Sequence, residues 1–225
     1  MTGSQGPDGR CWPSPAVWSA FDLLTNHRVI KTAPLAESCY PGPKQNRAQC
    51  DHVNANWAVQ AFQTSQPLGL AHPWNITCPP VNYAIGERSA SCILGPNPRY
   101  AVNATNVNHI RSTLAFAARW NIRLVIKSTG HDLLGRSDGY GSIELWLHNF
   151  RNGIDFQPTY AASNKCSKSG WKGSATKING AYRWGDVYAV AKKNNVVVVG
   201  GGAPSVGAVG GWHTGGGELN LSSFK

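Results

Sequence analysis

The chain has 225 residues, 41% of them hydrophobic and 14% charged, with a formal net charge of +10. That length allows one or two domains with a sizeable core, and no apolar run approaches the ~18 residues of a membrane-spanning helix. The basic residues are scattered and bunch only at Lys165, Lys168, Lys172 and Lys177. With no aromatics interleaved to stack bases, the bunch reads as a solvated loop rather than a nucleic-acid footprint.

In chain order, residues 1–52 are rich in Pro, Gly and Cys and read as an irregular arm, with one short helix over 16–24. Met1-Thr2-Gly3-Ser4 opens without the apolar stretch of a signal peptide, so any such segment is expected to be gone from this form. Residues 52–65 suit a helix with Val53, Trp57 and Ala61 on one face, and 66–80 read as loop. The expected organisation is an arm with first helices over 1–80, an ordered region from about Tyr83, and two small α/β subdomains at about 81–137 and 138–225.

Within 81–225, Val107, Ile110, Leu114 and Ala118 recur at helical spacing, with Thr105 placed as an N-cap. An aliphatic strand follows at 122–126. Ile143, Leu145 and Leu147 alternate with Glu144, Trp146 and His148, the pattern of a half-buried strand. Residues 160–176 read as an exposed insertion or wide hairpin loop, 184–193 as a helix, and the four valines at 196–199 as another strand. The fold class is mixed α+β.

Six cysteines stand at positions 11, 39, 50, 78, 92 and 166. They include no Cys-x-x-Cys, and no histidine pair has zinc spacing, so no metal site is expected. Cys39 and Cys50 flank a Pro-Gly-Pro turn where a disulfide would close a small loop, the other reading being a buried free thiol; Cys78 and Cys92 form a second expected pair. Asn75-Ile76-Thr77, Asn103-Ala104-Thr105 and Asn220-Leu221-Ser222 are glycosylation sequons at Asn75, Asn103 and Asn220. Three sequons with six unclustered cysteines favour an oxidising, secretory history, and the protein is expected to be secreted.

Two stretches carry chemistry. The strand at 122–126 runs into Lys127-Ser128-Thr129-Gly130-His131-Asp132-Leu133-Leu134-Gly135-Arg136-Ser137. Small residues and glycines let a backbone approach a ligand, and successive N–H groups in such a turn can cradle a pyrophosphate. A histidine inside it faces whatever the backbone holds, although such a histidine can also merely satisfy local hydrogen bonds. The valine run opens into Gly200-Gly201-Gly202-Ala203-Pro204-Ser205-Val206-Gly207-Ala208-Val209-Gly210-Gly211-Trp212-His213-Thr214-Gly215-Gly216-Gly217. Two strands that each open into a glycine-rich loop suit a long phosphate-containing cofactor held at several points.

These two motifs, in this order and separation, resemble the PCMH-type FAD-binding domain of the vanillyl-alcohol-oxidase superfamily, and within it the berberine-bridge-enzyme-like secreted oxidases of fungi. Cys11-Trp12-Pro13-Ser14 and the Cys39…Cys50 pair resemble that branch too, so the likeness runs over residues 10–225. The resemblance implies a PCMH-type domain of two small α/β subdomains with a disulfide-containing arm. It implies FAD bound covalently through its 8α-methyl carbon to His131. Cofactor contacts are implied at Lys127, Ser128, Thr129, Gly130, Asp132, Leu133, Gly135, Arg136 and Ser137, and at Gly201, Gly202, Ala203, Pro204, Ser205, Val206, Gly207, Gly210, Gly211, Gly215, Gly216 and Gly217.

The family often has a second attachment through the cysteine of Gly-x-Cys-Pro-Thr-Val-Gly. Ala203 occupies that position here, and a methyl group cannot form a thioether, so a single link is expected. Trp212 and His213 also depart from the commoner Gly-Gly-His, which leaves the role of His213 open, with a structural histidine the favoured reading. In the family a separate substrate domain covers the flavin and supplies the catalytic base, so no catalytic residue is identifiable in this chain. A second polypeptide carrying that domain is expected, as a separate subunit or a cleavage product, the other reading being a shortened form.

The implied activity is oxidation of a small organic substrate (an alcohol, phenol or secondary metabolite) by hydride transfer to the flavin. Among competing readings, a Rossmann site needs a helix directly after its glycines and an acidic residue ~20 positions on, and Pro204 with the further glycines provides neither. No Walker A or Gly-x-Ser-x-Gly pattern occurs. A catalytically silent subunit or binding module that keeps the fold is the remaining alternative.

Overall fold

The computed structural model describes residues 7, 9, 12–72, 76–89, 91–161, 170 and 172–215. The chain divides into two compact units, residues 1–149 and 150–225. The division falls one strand later than the boundary expected near 137, because the strand at 143–146 is hydrogen-bonded into the first unit.

In the first unit β1 (Val29–Lys31), β2 (Tyr100–Asn103), β3 (Leu124–Lys127) and β4 (Ile143–Trp146) form one sheet in the order β1-β2-β4-β3. β1 is antiparallel to β2, and β4 lies parallel to both β2 and β3. Helix α1 (Pro15–Leu24) starts where Ser14 accepts a hydrogen bond from the Val17 N–H and Pro15 fixes the first turn. It buries Trp18 and Phe21. Trp18 stacks on Tyr100 at 3.8 Å between centroids, and Phe21 on Phe116 of α4 (Val107–Arg119) at 4.0 Å. Val102, Ala117, Ile122 and Ile143 complete this core. Burying one such side chain contributes about 1.5–3 kcal/mol.

The cap of α4 is Asn106, not Thr105: the Asn106 side chain accepts from the His109 N–H at 3.0 Å. β3 starts at Leu124 because Ile122 N–H donates back to Ala117 at 2.9 Å across the left-handed Asn121, which closes the helix.

The arm is more structured than its composition suggests. It contributes β1 to the sheet, and both expected disulfides, Cys39–Cys50 and Cys78–Cys92, are formed. Ala36, Tyr40, Val53 and Val81 pack around them as a second core. The helix expected over 52–65 is two: α2 (Arg47–Asn56), capped by Asn46, and α3 (Gln60–Thr64). The break has a local cause, since the Gln63 side-chain amide donates to the Trp57 carbonyl at 2.8 Å and takes the acceptor a continuing helix would use.

β4 also departs from expectation. All four of its residues are buried, Glu144 included, because a strand with parallel neighbours on both sides is covered on both faces. Asn103 ends β2, its side-chain oxygen accepts from Asn149 at 2.8 Å, and Ala104 beside it is fully buried. The sequons at Asn75 and Asn220 lie outside the described residues.

In the second unit β5 (Asp155–Ala161) and β6 (Lys172–Lys177) form an antiparallel pair, so much of the expected insertion is a hairpin; residues 162–169 lie outside the described residues. Helix α5 (Trp184–Lys193) spans the expected segment. Asp186 in its first turn accepts from the Arg183 N–H at 2.9 Å, and Lys192 and Lys193 close its last turn, each charge opposing the helix dipole. The four valines do not form a strand. Val196 N–H donates to Ala191 at the end of α5, Val197 is 79% exposed, and no described strand pairs with the run. β-branched residues make a strand only when a neighbour accepts their backbone bonds.

Candidate functional site

The loop after β3 owes its shape to glycines and one ion pair. Gly130 and Gly135 have φ of +72° and +69°, which only glycine adopts without strain. Asp132 accepts from the Arg136 backbone N–H and from its guanidinium at 2.9 Å, so residues 132–136 close on themselves. The Arg136 bonds hold the Asp132 carboxyl below its ordinary range. Asp132 and Arg136 therefore shape the loop. Thr129 and Gly130 are buried, Ser128, His131 and Ser137 half-buried, and Leu133 and Leu134 stand exposed at 59% and 78%.

His131 follows the buried Gly130, and its ring lies edge to face with that of His72, 5.5 Å between centroids. Burial, and then the His72 charge, keep the His131 imidazole below its ordinary pKa. It is therefore neutral at neutral pH, with a ring nitrogen able to act as nucleophile or acceptor.

Lys127 is not available to a cofactor. Its side chain is fully buried, and Nζ donates to the carbonyls of Gln66 at 2.6 Å, Gly69 at 2.8 Å and Pro67. Glu144 lies 3.9 Å away. Burial lowers Lys127, opposed by Glu144 and Asp138, and raises Glu144 to about 8, opposed by Lys127. Three carbonyl acceptors require three N–H donors, so Lys127 holds its ammonium form. Burial likewise raises Asp138 to about 6. Asp138, with Trp57, Leu68, Leu70, Arg123 and Tyr140, lines a cleft of about 400 Å³.

The raised Glu144 makes stability depend on pH. The folded chain keeps a proton that the unfolded chain releases above about 4.5, so this contribution is full below that pH and is lost as pH rises towards about 8. Glu144→Gln removes the dependence. Urea unfolding at pH 5 and pH 8 is expected to shift in the variant's favour at the higher pH, and an unchanged difference would refute this origin.

In the second unit the glycine loop is bound to α5. Trp184 and Gly185 N–H groups donate to Val206 and Pro204 at 2.9 Å each, so loop carbonyls occupy the start of that helix. A Cβ on Gly200 or Gly201 would stand 2.4 or 2.8 Å from the Trp184 ring, so these two glycines serve packing. Gly207 is buried in a bridge to Arg183, and Ser205 and Val206 are half-buried. Trp212 meets Trp184 edge to face at 4.5 Å, a core role, while His213 is exposed. Gly202, Ala203 and Pro204 are exposed, as are Gly210, Gly211 and Gly215; Gly216 and Gly217 lie outside the described residues.

Whether these loops fit FAD is tested by their glycines. A Cβ on Gly135, Gly202 or Gly211 would meet nothing within 4 Å, and Gly202 and Gly211 have no positive φ to explain them. At Gly202 and Gly211 neither packing nor backbone strain demands glycine. The room beside the chain suits a ligand that approaches the backbone closely, as a pyrophosphate does. Among the described residues no group of three or more His, Cys, Asp or Glu is placed to hold a metal ion.

Of the expected site residues, the first unit brings together residues 128–137 and removes the Lys127 side chain from them. Sequence reasoning missed His72 and Gly69. Their only signal was a histidine and a glycine in a segment with no periodicity.

Residues 98–223 match the FAD binding domain family. The chain is 52% identical over 212 residues to FAD-linked oxidoreductase hmp9 of Hypomyces subiculosus, covering 94% of this chain and 34% of that protein. Its fold matches the VAO-type flavoprotein MtVAO713 of Myceliophthora thermophila C1 with a TM-score of 0.91 and 58% identity, covering 96% of this chain and 38% of that one. MtVAO615 of the same organism gives 0.86 and 32%, covering 99% and 40%. The chain thus spans about a third of the length of these curated relatives. It belongs to the FAD-binding domain family, among fungal VAO-type flavoproteins and FAD-linked oxidoreductases.

Proposed function

We propose that this chain is the FAD-holding part of a secreted oxidoreductase that oxidises a small organic substrate by hydride transfer to FAD attached covalently through His131. The observation that carries the reading is His131 itself: half-buried, held neutral, and set in a loop whose glycines leave room for a cofactor. When bound, FAD supplies the hydride acceptor. The residues of the first unit would hold it: the backbone from Ser128 to Ser137 would line its phosphates, and His131 would anchor the ring. With Ala203 in the loop, attachment is through His131 alone.

Walls for the substrate and the catalytic base come from polypeptide beyond these residues, in our reading a second chain, either a separate subunit or a cleavage product. The exposed Leu133 and Leu134 flanking the site support a surface that is covered in use. The two formed disulfides support a secretory route, which would glycosylate the sequons at Asn75, Asn103 and Asn220.

Chromatographic sizing with an absorption spectrum and a substrate panel tests the whole. Yellow protein associated with a further polypeptide is expected, inactive when the 225-residue chain is isolated. A colourless chain would favour the silent binding module, and a yellow, monodisperse chain that oxidises substrate alone would remove the second polypeptide.

A further inference from the structure

Residues 66–72 form a strap tied down at several points. Lys127 Nζ holds the Gln66 and Gly69 carbonyls at 2.6 and 2.8 Å. A Cβ on Gly69 would stand 1.7 Å from the Gln63 carbonyl oxygen, and Ala71 N–H donates to the Gly130 carbonyl at 3.0 Å. Leu68 and Leu70 of this strap, with Trp57, line the cleft of about 400 Å³. Its remaining wall comes from the chain that follows the 128–137 loop. That chain runs back along β3, the outer strand of the sheet, since a Cβ on Gly139 would stand 3.0 Å from Val125 and 3.1 Å from Arg123. Asp138 and Tyr140 therefore lie beside the start of β3, whereas His131 follows its end. The cleft is thus a place apart from the proposed flavin anchor, although Gly135 borders it. Asp138 Oδ1 accepts from the Gly139 N–H at 2.9 Å, which leaves Oδ2 for a molecule in the cleft.

We propose that this cleft binds a small neutral aromatic molecule bearing a hydroxyl group, its ring among Leu68, Leu70 and Trp57 and its O–H donated to Asp138. The inference goes beyond the flavin reading and does not rest on it. Apolar walls with a few convergent polar groups are the usual make-up of a small-molecule site, and the volume suits a compact ligand. The charged groups that line the cleft are Asp138 and Arg123. Of the other titratable side chains, Cys78 is held in its disulfide and Tyr140 carries Arg99 over its ring at 5.7 Å. The buried Lys127 and Glu144 interact with Asp138 through the interior. An ammonium ligand would meet Arg123 and a carboxylate ligand would meet Asp138; a neutral donor avoids both repulsions. Burial pushes Asp138 up to about 6, so its carboxylate lacks hydrogen bonds from water and gains from a donor that the ligand brings. Such a donor favours the ionised form, so binding tightens as pH rises through about 6 and pulls the Asp138 pKa down.

The test follows the Trp57 indole and the Asp138 carboxyl by NMR in the full chain, together with any polypeptide that purifies with it. The probes are 4-ethylphenol, ethylbenzene, 4-ethylbenzylamine and 4-ethylbenzoate. A saturable shift at Trp57 is expected with 4-ethylphenol at pH 7, and roughly tenfold weaker binding with ethylbenzene, which lacks the donor. The two charged probes are expected to bind more weakly than 4-ethylphenol, and the Asp138 titration to move to lower pH when 4-ethylphenol is bound. Asp138→Ala removes the preference for the phenol. Leu70→Trp fills the cleft and abolishes binding of every probe, which keeps the test open if Asp138→Ala fails to fold. No saturable shift at Trp57 would overturn the proposal, as would equal affinity for 4-ethylphenol and ethylbenzene, or tightest binding of a charged probe. A cleft already filled by further polypeptide in the native protein would overturn it too. Flavin retained after denaturation is measured on the same samples: its absence would sink the attachment at His131 and leave a phenol-binding cleft standing.

Discussion

His131→Ala protein gives up all its flavin on acid precipitation, whereas the wild-type pellet stays yellow and carries the mass of one FAD on the peptide containing His131. The contrast is expected to be complete because the position of the family's second attachment holds Ala203, which ends in a methyl group, and Asp132 is committed to Arg136. The neutral state of His131 sharpens the expectation. Burial and His72 depress its pKa, so the ring is a ready nucleophile at neutral pH and loses that property as pH falls. The variant can still bind FAD without the bond, because the cradle is largely backbone. Its flavin is then expected to be the weaker oxidant, since a substituent on the 8α carbon withdraws electrons. Flavin on another residue, Cys166 above all, would refute the single link.

The sequence made the local features legible. The short helix expected over 16–24, the α5 span and the glycine-flanked His131 all come from neighbours within a few positions, where spacing and turn chemistry act. What it hid depends on pairing between distant segments. Glu144 occupies a polar position of an alternating pattern and points outward only if one face of β4 is wet; β4 is a central strand with parallel neighbours, and all four of its residues are buried. The four valines have strand propensity, and propensity without a partner leaves Val197 in solvent. The family resemblance implied a cofactor contact at Lys127, which abuts the loop. Its carbonyl partners sit about sixty positions earlier, in a stretch that shows no periodicity at all. The same stretch brings His72 to His131, so the least readable segment shapes the site.

That dependence makes Lys127→Met the second large effect. The substitution keeps most of the side-chain volume and removes three N–H donors. The Gln66, Pro67 and Gly69 carbonyls lose their donor, and Glu144 loses the cation 3.9 Å away. Breaking a buried pair by deleting one partner costs about 3–5 kcal/mol, against a typical domain stability of about 5–15 kcal/mol. Part of that cost is mitigated here, because Glu144 already tends towards its neutral form; the carbonyls have no such escape, and each unsatisfied group costs about 1–3 kcal/mol. Urea unfolding followed by tryptophan fluorescence is therefore expected to show a midpoint well below wild type. Lys127→Arg is not expected to restore it, since a planar fork cannot aim at three carbonyls gathered around one ammonium. Adding Glu144→Gln to Lys127→Met should recover only a minor part of the loss, because it removes a carboxyl and supplies no donor known to reach the strap. If the double variant recovers most of the loss, the ion pair and not the strap is what Lys127 supports. If Lys127→Met unfolds at the wild-type midpoint, the carbonyl clamp has no energetic role, and the strap must be held by Gly69 and the Ala71–Gly130 bond alone.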